Sequence, residues 1–133
     1  AIKGVMAVDD ARRSVEIGAT AIIISNHGGR QLDGSRAPFD QLQAIVDEVG
    51  GEIEIIVDSG IRRGTHVLKA LAMGATACSG GRMYLYALAG AGAAGVEKAI
   101  SLLRAEMERD MLLMGCKDVS SLNRSMLASL PSA

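Results

Sequence analysis

Two short runs decide the fold: Ala21-Ile22-Ile23-Ile24 and Ile53-Glu54-Ile55-Ile56-Val57. Both are rich in β-branched residues, which favour strands. Both are also almost continuously apolar, and such strands are covered on both faces, as in parallel sheets flanked by helices. The sequence therefore predicts an α/β protein built on a parallel sheet.

Weaker strands and several helices surround these two runs. The candidate strands are Gly4 to Ala7 and Ala75 to Ser79, and the helical patterns cover residues 8–17, 39–49, 64–73 and 94–114. Asp9 and Asp10 are typical of a helix start. Gly18 and Gly74 each open a Gly-Ala-Thr-Ala sequence after a helix and are predicted to end it with a positive φ.

The count of elements limits the architecture. Three or four strand-helix units are about half of a (β/α)8 barrel, whose typical length is about 250 residues. The alternative is a small open doubly wound sheet, which would bind a phosphate at its first βα turn. The tail from Lys117 onward is predicted to pack against the outside as a helix; its apolar residues are Leu122, Met126, Leu127 and Leu130.

Composition excludes several classes of function. Fourteen basic and fifteen acidic residues leave a formal net charge of -1, and aromatic residues make up only 2% without any Trp. A broad basic surface and stacking platforms for nucleic acid are therefore both missing. Cys78 and Cys116 are too far apart for a metal knuckle, so we predict two free thiols in a reducing compartment and no metal site.

The segment Ser25-Asn26-His27-Gly28-Gly29-Arg30-Gln31-Leu32-Asp33 directly follows the first strand run. In a parallel barrel this loop lies on the catalytic face. His27 is a candidate proton acceptor because imidazole titrates near neutral pH. Arg30 offers a planar fork of donors that suits a carboxylate. In isolation, His27 is more often a loop histidine bonded to backbone, and Arg30 a solvated charge.

Two further loops predict a phosphate site. Asp58-Ser59-Gly60-Ile61-Arg62-Arg63-Gly64 follows one strand, and Ser79-Gly80-Gly81-Arg82 follows the next. Backbone N–H groups freed by glycine, together with arginine, form a nest for a dianion at the last two strands of such barrels. Lys3 lies in the first strand, where it either faces an electron-rich ring inside the barrel or simply belongs to a solvated chain end.

Together, Lys3-Gly4-Val5, SNHGGRQLD (25–33), DSGIRRG (58–64) and Gly81-Arg82 resemble the FMN-dependent α-hydroxy-acid dehydrogenases and oxidases, a family that includes glycolate oxidase, L-lactate dehydrogenase and mandelate dehydrogenase. The resemblance covers about residues 1 to 120. It implies that residues 1–133 are the C-terminal part of a single FMN-binding TIM barrel domain, with about its last three strand-helix units and the C-terminal helices.

The resemblance also implies a role for each matching residue. His27 takes the proton from an L-2-hydroxy acid of the lactate, glycolate or mandelate type while FMN receives the electron pair, and Arg30 binds the substrate carboxylate. The implied FMN-binding residues are Lys3, Ser25, Asp58, Ser59, Gly60, Ile61, Arg62, Gly81 and Arg82. Ser79 and Gly80 depart from the bulkier apolar residues that are usual in the family at the last strand.

Partners and location follow from the same resemblance. We expect the chain to begin within a longer sequence and to need the missing N-terminal half of the barrel, which carries a substrate-binding tyrosine and the carboxylate that pairs with the histidine. We further expect a homotetramer, located in the cytoplasm or peripheral to the inner membrane and not secreted. Two alternatives stay open: another phosphate-binding βα-barrel enzyme, such as an isomerase or synthase, and an inactive half-barrel fragment.

Overall fold

A computed structural model describes residues 1–128 and contains one four-stranded parallel sheet. The strands are β1 (Ile2–Val5), β2 (Ala21–Ile24), β3 (Glu54–Asp58) and β4 (Ala77–Ser79), and the helices are α1 (Val8–Glu16), α2 (Pro38–Val49), α3 (Gly64–Met73) and α4 (Gly81–Met114). Each helix follows one strand, and the strands lie in the sheet in their chain order, β1-β2-β3-β4. The predicted α/β class and parallel sheet are confirmed. There are four strand-helix units, which agrees with the three or four counted in the sequence and is one more than the resemblance implied.

The core lies on one face of the sheet. Ile22 and Ile24 of β2 pair with Ile55 and Val57 of β3 and are at most 1% exposed. The apolar side of α2 packs against these strands as part of one buried cluster. Because side chains alternate along a strand, Ile23 lies on the opposite face, where it is only half-buried. Helices therefore cover one face, and the other face corresponds to the interior of a barrel.

The strand order also decides between the two predicted architectures. A doubly wound sheet reverses its strand order at a switch point and carries helices on both faces. Here the order never reverses and the cluster joins α1, α2 and α3 to the same sheet face. The sheet is therefore singly wound, as a barrel requires, and both edge strands have a free side within residues 1–128.

Most predicted boundaries are confirmed to within two or three residues, but α4 is longer than predicted. It begins at Gly81 instead of Ala94 and contains non-helical backbone at Ala91 and Gly92. The glycine-rich stretch before Ala94 obscured the first segment, because glycine is a poor helix former. The consequence for the site is that Gly81 and Arg82, predicted as a loop, form the first turn of a helix.

The predicted C-terminal helix is wrong within the described residues. Two short 3-10 turns, Val119–Ser121 and Arg124–Met126, replace it. The side chains of Asp118 and Asn123 accept backbone N–H groups of these turns at 3.1 Å, so local hydrogen bonds compete with a regular helix. The turns still pack outside α3 and α4, as predicted, whereas Leu130 lies outside the described residues.

The two cysteines are free thiols, as predicted. Burial raises the pKa of Cys78 in β4 to about 11, so its thiol stays protonated and unreactive near neutral pH. Cys116 is buried, with its Sγ atom 3.6 Å from the Sδ atom of Met126. Among residues 1–128, no helix combines the length and the apolar character that crossing a bilayer requires.

Candidate active site

Lys3 of β1 and the segments that follow β2, β3 and β4 surround one cavity of about 440 Å³. Its size is in the range of small-molecule and cofactor sites, which are about 300 to 1,000 Å³. Ten of the eleven residues predicted for the site line this cavity: Lys3, His27, Arg30, Asp58, Ser59, Gly60, Ile61, Arg62, Gly81 and Arg82. The fold therefore brings together residues that are up to 79 positions apart in the sequence, from Lys3 to Arg82.

The eleventh residue, Ser25, is buried beside the cavity and links two of its walls. Its Oγ atom accepts a hydrogen bond from Lys3 Nζ at 3.0 Å and donates one to Asp58 Oδ2 at 2.5 Å. Lys3 Nζ also lies 3.2 Å from Asp58 Oδ2. Lys3 is therefore an ordered group held across three strands, which favours the barrel-interior interpretation over a solvated chain end.

Asp58 is the anionic member of this network. Partial burial by itself would raise its pKa, but hydrogen bonds from Ser25 and Lys3, the charge of Lys3 and a hydrogen bond from Ser79 outweigh the burial. The net effect lowers the pKa of Asp58 below its ordinary value. At neutral pH the group is an anionic acceptor that holds Lys3 in place.

The loop that carries His27 is a tight 3-10 turn, His27–Gly29, directly after β2. His27 has a φ of 57°, a left-handed conformation that is uncommon for residues other than glycine. Its backbone N–H donates to Ser25 Oγ at 3.1 Å, and Gly28 N–H donates to the side chain of Asn26 at 3.0 Å. These bonds turn the loop so that the imidazole lines the cavity.

The imidazole of His27 packs directly over the backbone of β1. A Cβ atom placed on Gly4 would lie 3.0 Å from His27 Cε1, and the φ of Gly4 is 92°. The ladder between β1 and β2 shifts register between Lys3 and Val5, at this glycine. Gly4 thus serves two purposes: it bends β1 and leaves room for the imidazole.

Ser59 connects the second site loop to the first. Gly28 N–H donates to Ser59 Oγ at 3.2 Å, and the φ of Ser59 is 75°. Non-glycine residues in this region carry a conformational cost, and they concentrate at functional sites whose surroundings hold them there. Ser59 and His27 are the two such residues within residues 1–128, and both line the cavity.

Arginine from the third loop closes the same wall. Arg82 donates to the carbonyl oxygen of Gly28 at 3.0 Å, and a Cβ on Gly28 would lie 3.0 Å from the Arg82 guanidinium. Arg82 is in the first turn of α4, where exposed N–H groups and the helix dipole favour an anion. In the preceding loop, the N–H group of Arg62 donates to His66 Nδ1 at 3.3 Å.

The charge of the cavity suits an anionic ligand. Its lining contains Lys3, Arg30, Arg62 and Arg82 as cations and one carboxylate, that of Asp58. No carboxylate in residues 1–128 lies within ion-pair distance of the three arginines. Such a donor set fits the phosphate of FMN together with a substrate carboxylate, while Asp58 is an acceptor suited to hydroxyl groups.

Sequence reasoning missed several residues at the site. Gln31, Tyr84 and Leu85 also line the cavity, and His66 fixes the backbone of Arg62. The available signal was His66 at the third position of α3, where a side chain can accept a backbone N–H from the residues before the helix. Tyr84 and Leu85 gave no such signal, because the first segment of α4 was not predicted. No cluster of His, Cys, Asp or Glu suited to a metal ion occurs within the described part of the chain.

Comparisons with known proteins agree with this geometry. The model of the family described as FMN-dependent dehydrogenase matches residues 1–129. An L-lactate oxidase of Nostoc sp. is 51% identical over 126 residues, which are 95% of this chain and 34% of that protein. The chain therefore spans about a third of the length of the curated relatives it matches.

Solved structures extend the likeness to the fold. A mandelate oxidase variant with a monooxide FMN adduct is 49% identical with a TM-score of 0.86, over 92% of this chain and 39% of that chain. A soluble mutant of the membrane-associated (S)-mandelate dehydrogenase from Pseudomonas putida is 42% identical with a TM-score of 0.88, over 92% of this chain and 35% of that chain. These likenesses confirm the predicted barrel fold, of which this chain supplies four strands, and FMN as the cofactor of the group.

Proposed function

The chain belongs to the FMN-dependent dehydrogenase family, and we propose that it is part of a barrel that oxidises a small L-2-hydroxy acid to the 2-keto acid. It supplies the residues that bind the flavin phosphate, accept the proton and bind the substrate carboxylate. The observation that carries the proposal is the convergence of His27, Arg30, Lys3 and the two Gly-Arg loops on one cavity. Relatives are named as L-lactate oxidase, L-lactate dehydrogenase and 4-hydroxymandelate oxidase. These names support the substrate class.

The phosphate end of the cavity is formed by the loops after β3 and β4. We assign Arg62, Gly81 and Arg82 to the phosphate of FMN, because two guanidinium groups and the start of a helix provide charge and N–H donors there. The segment from Asp58 to Ile61 lies between this end and Lys3, and we assign it to the ribityl chain. Lys3 and Ser25 then meet the polar edge of the flavin ring.

The substrate end is formed by the loop after β2. His27 takes the proton that leaves the substrate, and Arg30 holds the substrate carboxylate through charge-assisted hydrogen bonds. FMN, when bound, supplies the electron-accepting chemistry. The protein's part is placement: Ser25, Ser59 and Gly4 fix the loop and the imidazole before substrate arrives.

Completion of the barrel requires four more strands. Within residues 1–128 the sheet has two free edges, at β1 and β4, and its inner face carries half-buried Ile23 and Ile56. Exposed strand edges and apolar surface call for a covering partner. We propose that the covering segment is the N-terminal part of the same barrel, as in relatives about three times as long. The tetramer stays a prediction.

A test of this function uses the protein with its complete barrel. We expect it to bind FMN, and its flavin absorbance to bleach when an L-2-hydroxy acid is added without oxygen. In the Arg30→Lys variant, which retains charge but loses the fork of donors, we expect a higher substrate Kd with FMN binding unchanged. A protein that is colourless after FMN is supplied, or an Arg30→Lys variant with an unchanged substrate Kd, would count against the proposal.

A further inference from the structure

A carboxylate from the far end of the chain holds the phosphate loop in place. Glu106 lies in the part of α4 that follows the non-helical residues Ala91 and Gly92, and its Oε2 atom accepts the backbone N–H of Gly64 at 2.7 Å. Its Oε1 atom accepts Arg63 Nε, also at 2.7 Å. One side chain thus binds two consecutive residues at the end of the loop 58–64. The Glu106 side chain is 20% exposed, so water competes only partly for these bonds.

The backbones of α3 and α4 are closely packed around this contact. Gly64 is buried, and a Cβ there would lie 2.7 Å from Leu103 O, Met107 N and Glu106 Cβ. The first residue of α3 therefore rests directly on the backbone of α4. Glycine is the residue that allows this approach, and the approach brings Glu106 within reach of the N–H group.

Because of this contact, two adjacent arginines have different partners. Arg63 is committed to Glu106 and turned away from the cavity, whereas Arg62 lines the cavity and has its N–H group held by His66. The positive start of α3 is also satisfied, because Glu106 supplies a carboxylate to its first N–H group. At this end of the cavity, Arg62 and the start of α4 remain available to bind an anion.

We propose that Glu106 is a positioning residue for the flavin phosphate: it anchors Arg63 and the start of α3 on α4, and thereby places Arg62 in the cavity. The inference rests on the proposed function, since it takes the phosphate of FMN as the ligand of Arg62. It adds a residue that touches neither substrate nor cofactor and that acts through the backbone of the loop.

The test compares two flavins that differ only in the phosphate. Dissociation constants of FMN and riboflavin are measured for Glu106→Ala, for Glu106→Gln and for Glu108→Gln in the protein with its complete barrel. Glu108 is a matched control, because it lies on the same helix and, among residues 1–128, forms an ion pair only with exposed Arg104. Loss of charge-assisted hydrogen bonds in Glu106→Ala should weaken FMN binding about tenfold and leave riboflavin binding within about twofold.

The Glu106→Gln variant keeps the proposal testable if Glu106→Ala does not fold. Its amide oxygen can still accept the N–H of Gly64, but it lacks the charge that holds Arg63, so its preference for FMN over riboflavin should fall less than that of Glu106→Ala. An unchanged preference in both variants overturns the proposal. Equal weakening of both flavins overturns it as well, because a general loss of stability does not distinguish the phosphate.

A second readout needs no flavin. Amide hydrogen exchange of residues 59–64 should be faster in Glu106→Ala than in Glu108→Gln, since the loop loses its anchor. Equal exchange in the two variants would contradict the anchoring role. If the unaltered protein binds neither flavin, the proposed function fails, whereas the exchange experiment still tests the anchor by itself.

Discussion

The contact between Gly4 and the imidazole of His27 permits a substitution outside the cavity lining that should slow catalysis. In Gly4→Ala the new methyl group would lie 3.0 Å from His27 Cε1. Ordinary carbon contacts begin at about 3.4 Å, so the imidazole must retreat by roughly 0.4 Å or more. Misplacement of a reacting group by 1 Å can cost about 100-fold in rate, and we expect a loss of about tenfold or more.

The same substitution has a backbone cost that must be separated from the contact. The φ of Gly4 is 92°, a region in which alanine costs about 1 to 2 kcal/mol. Gly18→Ala is a matched control, because its φ is 81° and nothing lies within 4 Å of a Cβ there. Both variants should therefore lose a similar free energy of unfolding, but only Gly4→Ala should move the imidazole.

The assay is stopped-flow reduction of bound FMN by saturating 2-hydroxy acid in the absence of oxygen, with urea unfolding measured in parallel. We expect Gly4→Ala to reduce flavin at least about tenfold more slowly than Gly18→Ala, with the same affinity for FMN. Equal reduction rates in the two variants would refute the reasoning, because the imidazole would then tolerate the methyl group.

Two further predictions concern Gly28 and Asp58, which line the cavity. Gly28→Ala would bring a methyl group 3.0 Å from the Arg82 guanidinium, whereas a methyl group at Gly29, which has a similar φ, would meet nothing within 4 Å. FMN affinity should therefore fall in Gly28→Ala and not in Gly29→Ala. A fall in both variants would contradict this. Because the pKa of Asp58 is lowered in the folded protein, its carboxylate stabilises the fold above the ordinary carboxyl pKa of about 3.9. The advantage of the unaltered protein over Asp58→Asn in urea unfolding should therefore shrink between pH 7 and pH 3, and a constant difference would refute the assignment.

The sequence alone could predict the parts of the site that are local. The β-branched runs indicated strands, and the loops directly after them in a parallel sheet had to meet at one edge. That reasoning was sufficient to group His27, Arg62 and Arg82, which do line one cavity. The resemblance added Lys3, whose position in a four-residue strand is not informative by itself.

The remaining features depend on contacts that no local pattern contains. Glu106 reaches Gly64 across 42 residues, and Gly4 meets His27 because two strands pair with a shifted register. The first segment of α4 was missed because glycine lowers helix propensity, although its start contributes N–H donors to the cavity wall. In each case the geometry depends on packing between elements that are distant in the sequence, so no local pattern indicates it.

The most direct test of the proposed function is anaerobic flavin reduction in His27→Gln. Glutamine preserves a polar side chain of similar reach but cannot accept the proton, so we expect FMN to stay bound and to remain oxidised after an L-2-hydroxy acid is added. The unaltered protein should bleach under the same conditions. Bleaching of the His27→Gln variant at the rate of the unaltered protein would contradict the assignment of His27 as the proton acceptor.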